Sequence, residues 1–274
     1  MRVVLLTSDA PGQRALAARL ASTPGVELAG VVVQAIARPS AWKLLRTNPR
    51  RFADKASARL LYGAASAAIM REGARRFDPA QPWAARTLGV KDVNGDDAVA
   101  FLRALSPDLV CVSGTRMVKA PVFETRPPRG LLNLHTGLSP FYKGGPNCTL
   151  WCLANGEPQC IGATIHELDP GIDSGRLILT AQTTVDATDG AADLVWKTVA
   201  LGIDLYARVV EAMAAGRLLR PAAQSEIGEG RTYYTREWGA DTLGRALRFV
   251  RDGGVRRWVE AGRPGAVRLY DGVS

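Results

Sequence analysis

Short apolar runs alternate with helical-period stretches along the start of the chain, and that alternation sets the expected fold. Val3-Val-Leu-Leu6 is a continuous apolar run that stops at Thr7, Ser8 and Asp9, the pattern of a parallel strand buried on both faces. Residues 14–20, with Leu16 and Leu20 four apart, carry the helical period, and 26–33 reads as a second buried strand. Strand, helix and strand in that order imply a right-handed crossover and a parallel sheet. The pattern then breaks. Residues 38–77 are rich in Ala, Arg and Leu and predict one or two helices inserted after the second strand, ended by Pro79 and Pro82.

Further on, Val93-Asn-Gly-Asp96 predicts a turn and cap before a helix through Leu105. Residues 108–113 and 130–133 predict buried strands, and 146–153 a helix. Two strands, 161–168 and 176–184, are predicted around the turn at Asp169-Pro-Gly171. Thr188 or Asp189 is suited to cap a long helix to Ala215, with Gly216 as its stop. Leu194, Val195, Val199, Ile203, Tyr206, Val210 and Met213 give it one apolar face. Residues 228–234 read as a turn into a β-rich run, 241–251 as a helix and 267–270 as a last strand. The expected fold is α/β: a doubly wound, mostly parallel, Rossmann-like sheet over residues 1–225, then a small α+β extension over 226–274. The extension is short for a core of its own.

Composition narrows the class. With 274 residues, 47% hydrophobic and 22% charged, the chain is an ordinary globular protein with a real core. The start has too short an apolar run for a signal peptide, and no run approaches the ~18 apolar residues that span a bilayer. A cytoplasmic location without a membrane partner is expected. The turn Ser8–Gly12 has one glycine and no GxGxxG, which argues against dinucleotide binding. Cys111, Cys148, Cys152 and Cys160 are expected as reduced, buried thiols. The spacings among Cys148, Cys152, Cys160 and His166 do not match paired zinc-ligand spacing, so no metal is expected. The formal charge is +9, and residues 38–76 hold ten Lys or Arg against two acids, Asp54 and Glu72. That stretch is either a solvated helical face or a basic surface for an anionic partner. No nucleic-acid motif accompanies it.

The chain has only two histidines, and both fall between Asn133 and Gly175. His135 follows Asn133 by two residues, so in extended backbone the imidazole and amide project to one side. The imidazole is a proton carrier or a donor to an oxygen gaining charge, and the amide a second donor or an orienting acceptor. Asp173, set among glycines in Asp169-Pro-Gly-Ile-Asp-Ser-Gly175, is suited to fix the imidazole or hold an incoming ammonium. The alternative is a hydrogen-bonded structural histidine and a turn aspartate.

The stretch Leu132-Asn-Leu-His-Thr-Gly-Leu-Ser-Pro-Phe-Tyr-Lys-Gly144 resembles the Asn-x-His…Pro-x-Tyr-Lys-Gly signature of the formyltransferase family, whose members use 10-formyltetrahydrofolate. Gly162–Gly175 is similar to that family's second block, and Pro107–Met117 to its strand and folate loop. The resemblance covers roughly residues 90–185. It implies Asn133, His135 and Asp173 as the catalytic trio. It implies that Gly114, Thr115, Arg116 and Met117, with Pro170, Gly171 and Ile172, hold the pterin, and that His166 stands behind the trio. Within the family the insertion and small tail look most like the amino-sugar N-formyltransferases. The implied reaction is formyl transfer to a primary amine, most of all on a nucleotide-linked amino sugar. Methionyl-tRNA, glycinamide ribonucleotide and hydrolysis of the folate are the alternatives. A homodimer is compatible with the chain, and nucleic acid is not the expected partner.

Overall fold

The computed structural model describes residues 1–35 and 40–273. The expected opening is present as strand β1 (Arg2–Ser8), helix α1 (Gln13–Ala21) and strand β2 (Glu27–Gln34). The start assigned to the insertion, residue 38, lies outside the described residues. From residue 41 the insertion is two helices, α2 (Ala41–Thr47) and α3 (Pro49–Arg76). Ser40 and Asn48 cap them by accepting from Lys43 N and Arg51 N, and Pro49 at the first position of α3 loses no intrahelical bond.

A strand absent from the sequence reading, β3 (Thr87–Val90), follows. Helix α4 (Asp96–Leu105), strand β4 (Leu109–Ser113), a one-turn helix α5 (Ala120–Phe123) and strand β5 (Leu131–His135) come next. Then come the short strand β6 (Tyr142–Gly144), helix α6 (Cys148–Asn155) and strands β7 (Gly162–Glu167) and β8 (Leu177–Gln182). The long helix α7 (Ala191–Ala214) is capped at Gly190, whose N–H donates to Asp193 Oδ2. Asp189, one of the two expected caps, instead takes Asp186 N and pairs with Lys197. The chain closes with α8 (Gln224–Ile227), β9 (Arg231–Tyr233), α9 (Ala240–Arg251) and α10 (Gly254–Glu260). No strand forms over Val267–Tyr270. That segment lies along β8 through side-chain and single backbone bonds, and only Asp271 makes an isolated bridge, to Leu179.

The seven-stranded sheet runs β3-β2-β1-β4-β5-β7-β8. β3 to β5 are parallel, and β7 and β8 are antiparallel additions at one side. This is the doubly wound Rossmann-like architecture that the strand and helix pattern implies. Fully buried Val and Leu from β1, β2 and β4 supply both faces. α1 and α7 cover one face and α4 the other. Tyr206 of α7 is wholly buried between two strands: its hydroxyl accepts from Val112 N at 2.9 Å and donates to Leu132 O at 2.6 Å. A side chain thus replaces a ladder bond between β4 and β5. The strand order reverses at β1 and β4, and in such sheets the crevice beyond the strand ends at that point is where ligands lodge. A separate apolar cluster joins α6 and α7 to Tyr233, Leu243, Ala246 and Val255 of the C-terminal segment. β9 pairs in parallel with β6.

Candidate active site

A cavity of about 700 Å³ opens at the C-terminal ends of β1, β4 and β5. Asn133, His135 and Asp173 all line it, as do Gly114, Thr115, Arg116, Met117, Gly171 and Ile172. Pro170 does not: it is exposed on the outer side of its turn.

Register brings the polar groups together. In the antiparallel pairing of β5 with β7, Asn133 sits directly opposite His166, where cross-strand side chains touch. Asn133 Nδ2 lies 3.0 Å from His166 Nε2 and 3.2 Å from Asp173 Oδ1. His166 Nδ1 faces the Glu167 carbonyl at 2.7 Å. A carbonyl only accepts, so the ring proton belongs on Nδ1, and Nε2 is left to accept from the Asn133 amide. Both amide hydrogens are then directed into the protein, which leaves the Asn133 carbonyl oxygen as the group it presents.

Asp173 is the hub. Its Oδ2 lies 3.2 Å from His135 Nδ1 and its Oδ1 3.4 Å from His166 Nε2. Gly144 N of β6 donates to Oδ2 at 2.8 Å. Burial pushes this carboxyl up, but the His135 imidazole beside Oδ2 and the Gly144 N–H outweigh it and hold Asp173 well below the usual carboxylate range. The residue adopts φ 47°, an uncommon left-handed conformation for a non-glycine residue. Neighbours hold it there. Asp169 Oδ1 accepts from Gly171 N and Ser174 Oγ, and Gln224 Nε2 donates to the carbonyls of Asp173 (2.6 Å) and Gly175 (2.9 Å). At the base of the turn, Arg176 pairs with Glu167 at 2.6 Å.

His135 is also pinned at its other nitrogen. Nε2 is 3.0 Å from the Tyr142 carbonyl and 3.6 Å from Cys148 Sγ. Both ring nitrogens therefore face oxygen atoms that can accept a hydrogen bond. Cys148 is buried beside the ring, and burial, then the Asp173 charge, push its thiol pKa up. It is a packing thiol here, not a nucleophile. All four cysteines are unpaired and buried. Among the described residues no cluster of three or more His, Cys, Asp or Glu is arranged to hold a metal, and no helix is long and apolar enough to cross a membrane.

On the opposite wall, Arg116 N donates to Gln34 Oε1 at 2.9 Å, and Asn94 Nδ2 donates to Met117 O at 3.1 Å. Two neighbouring elements thus clamp the Gly114–Met117 loop. Between that loop and the Gly171–Asp173 turn lie Val112, Val118, Leu134 and Leu168. Two stretches of backbone edge with apolar side chains between them suit a flat ring that carries donors and acceptors along its rim.

Sequence reasoning missed several contributors: Gly144 N, the Tyr142 carbonyl, Cys148 and Gln224. The first two act through backbone, for which residue type carries no signal. Tyr142 and Gly144 do fall inside the sequence block 132–144. Gln224 lies some fifty positions from the turn that it holds and leaves no local pattern.

A formyl transferase family profile matches residues 14–210. The chain is 30% identical over 128 residues to the methionyl-tRNA formyltransferase of Pelobacter propionicus, a match that covers 47% of this chain and 39% of that protein. It spans 38–56% of the length of such curated relatives. Glycinamide ribonucleotide transformylase 1 from Symbiobacterium toebii superposes with a TM-score of 0.54 at 24% identity, over 85% of this chain and 92% of that one. A sugar N-formyltransferase from Shewanella sp gives 0.55 at 15% identity, over 90% and 88%. At these identities the structural likeness is one of fold.

Proposed function

This chain belongs to the formyl transferase family, and we propose that it transfers a formyl group from 10-formyltetrahydrofolate to a primary amine on a nucleotide-linked amino sugar. One observation carries the reading: a single buried carboxylate, Asp173, touches both histidines and Asn133 within one cavity. The volume, about 700 Å³, is in the range of pockets for small ligands. The Gly114–Met117 loop and the Gly171–Ile172 edge would hold the pterin, and bound folate would supply an electrophilic formyl carbon.

The chain's own groups then have distinct tasks. The Asn133 carbonyl oxygen is free to accept from the attacking amine and orient it. Asp173, kept ionised, accepts the proton that the amine must lose, directly or through water, and that proton can pass to the folate nitrogen as its bond to the formyl carbon breaks and the new carbon–nitrogen bond is kept. His135, held between Asp173 and the Tyr142 carbonyl, is placed to stabilise the oxygen that gains negative charge as the amine adds. His166 fixes the Asn133 amide and shares Asp173, so it is a positioning residue.

The names of the curated relatives favour a second reading, in which methionyl-tRNA is the acceptor. The test is purified full-length protein with 10-formyltetrahydrofolate and a panel of nucleotide-linked 4-amino sugars, charged methionyl-tRNA and glycinamide ribonucleotide. Release of folate is read together with mass of the formylated product. Formylated sugar supports the first reading, and formylated tRNA alone would replace it with the second. Folate turnover with no formylated amine in any arm would overturn both.

A further inference from the structure

We propose that a second groove, on the side of α3 and α9, binds a nucleoside diphosphate. The groove has a volume of about 640 Å³ and shares no lining residue with the active-site cavity. Three observations define its chemistry. The first is charge. Arg50, Arg51, Arg231, Arg236 and Arg245 line it against Asp54, Glu237 and Asp241. The acids are already engaged. Asp54 Oδ1 accepts from Ala240 N at 2.9 Å, Glu237 pairs with Arg231 at 2.7 Å, and Asp241 pairs with Arg245 at 3.1 Å. Arg50, Arg51 and Arg236 make no ion pair among the described residues; Arg236 lies over the Tyr234 ring at 4.5 Å, and Arg50 and Arg51 are placed to meet phosphate oxygens.

The second observation is direction. The groove is lined by Asn48, Arg50 and Arg51 from the start of α3 and by Gly239, Asp241 and Thr242 from the start of α9. Helices of 28 and 12 residues therefore turn their N-termini toward one space. Asn48 and Asp54 each cap one N–H at these ends, and the helix dipoles with the other first-turn N–H groups favour an anion. The third is an orphan donor. Trp151 lines the groove at 4% exposure, and its indole Nε1 is buried with no hydrogen-bond partner. A buried N–H without an acceptor is unfavourable, and a shift of the Trp151 ring that brought Nε1 to a phosphate or ribose oxygen would satisfy it. Trp238, half-buried and edge-on to Trp151 at 5.6 Å, adds an aromatic face for a planar base.

The two cavities share a wall. Trp151 packs on Tyr233 at 4.6 Å, and Tyr233 lines the active-site cavity. Two sources supply this chemistry: a free nucleotide, or the nucleotide part of a sugar-linked substrate. The assignment is one of binding and does not depend on which amine is formylated.

The experiment is calorimetric titration of the full chain with uridine diphosphate, adenosine diphosphate and pyrophosphate. A nucleoside diphosphate should bind, and more tightly than pyrophosphate. The double variant Arg50→Gln/Arg51→Gln should weaken it about tenfold or more, Trp151→Phe about fivefold, and His135→Ala should leave it unchanged. Arg50 and Arg51 are exposed, so the double variant should melt as the wild type does. Displacement of bound uridine diphosphate by uridine diphosphate glucose assigns the groove to a sugar nucleotide, and failure to displace it assigns the groove to a free nucleotide. Absence of binding by all three probes overturns the proposal. So does affinity unchanged in Arg50→Gln/Arg51→Gln, or pyrophosphate bound as tightly as the nucleotides. An RNA hairpin that outcompetes the nucleotides and depends on the same arginines also overturns it, in favour of nucleic acid.

Discussion

Gly137→Ala tests the construction of the site through a single methyl group. Gly137 follows β5 and is buried against the imidazole two positions earlier. A Cβ there would fall 2.3 Å from His135 Nε2, 2.7 Å from the Tyr142 carbonyl oxygen and 2.9 Å from Cys148 Sγ. The carbonyl is backbone of β6, and the thiol is a buried side chain of α6. The ring is what yields, and it must retreat about 1.1 Å to reach the 3.4 Å at which ordinary contact begins. Its 3.2 Å contact with Asp173 Oδ2 has no slack for that. Overpacking costs about 1–3 kcal/mol, and a lost hydrogen bond to a charged group about 1.5–3 kcal/mol. The two overlap, so a net loss of about 3 kcal/mol is expected, or roughly 5–10 °C in Tm. A displacement of about 1 Å should also lower kcat/KM at least about a hundredfold. Thermal melting and steady-state turnover against the best amine acceptor measure both, with Gly89→Ala as the control, since nothing lies within 4 Å of its Cβ. If Gly137→Ala melts and turns over as the wild type and the control do, His135 is not held as described.

Four further outcomes follow from the same geometry. His135→Ala should cut kcat by about 10²–10⁴-fold while far-ultraviolet dichroism stays native. Asp173→Asn should abolish turnover without unfolding the chain, and a variant within tenfold of wild type would remove Asp173 from the proton path. The depressed Asp173 carboxyl contributes stability that is complete above the unfolded value of about 3.9 and is lost as pH falls through the native value. The wild type should therefore hold its stability lead over Asp173→Asn from neutral pH to about pH 5 and lose it progressively below about pH 4, read by urea unfolding at each pH. Gly114, at φ +68° with Gln13 Nε2 3.0 Å from its virtual Cβ, should resist substitution: Gly114→Ala costs about 1–2 kcal/mol of backbone strain and should weaken a folate analogue about tenfold by equilibrium dialysis.

The sheet was legible because its strands announce themselves as apolar runs: Val3–Leu6, Leu109–Ser113 and Leu131–Asn133 are buried in neighbouring strands. The long helix was legible from its spaced apolar face. β3 escaped notice because Thr87-Leu-Gly-Val90 is a four-residue edge strand with alternating exposure, too short to show a period. β6 escaped for the same reason at three residues, whereas β9 falls within the residues read as a turn into a β-rich run. The expected strand at Val267–Tyr270 reflected β-forming side chains that pack along β8 without pairing as a ladder. At the site, side-chain chemistry could be read from residue types and their order. The pairing of Asn133 with His166 needed the register of β5 on β7. Pro170 was grouped with its neighbours by the family resemblance, but it is exposed and outside the cavity lining.

The grip on Asp173 has an owner far along the chain. Gly144 N holds the carboxylate from β6, β6 is paired with β9, and Gln224 ties down the backbone of the same turn. A chimera that exchanges everything after residue 220 for another tail would therefore change the support under Asp173 as well as the outer surface. Any new ending must supply its own strand for β6 and its own amide for the turn, or leave one buried aspartate unsteadied.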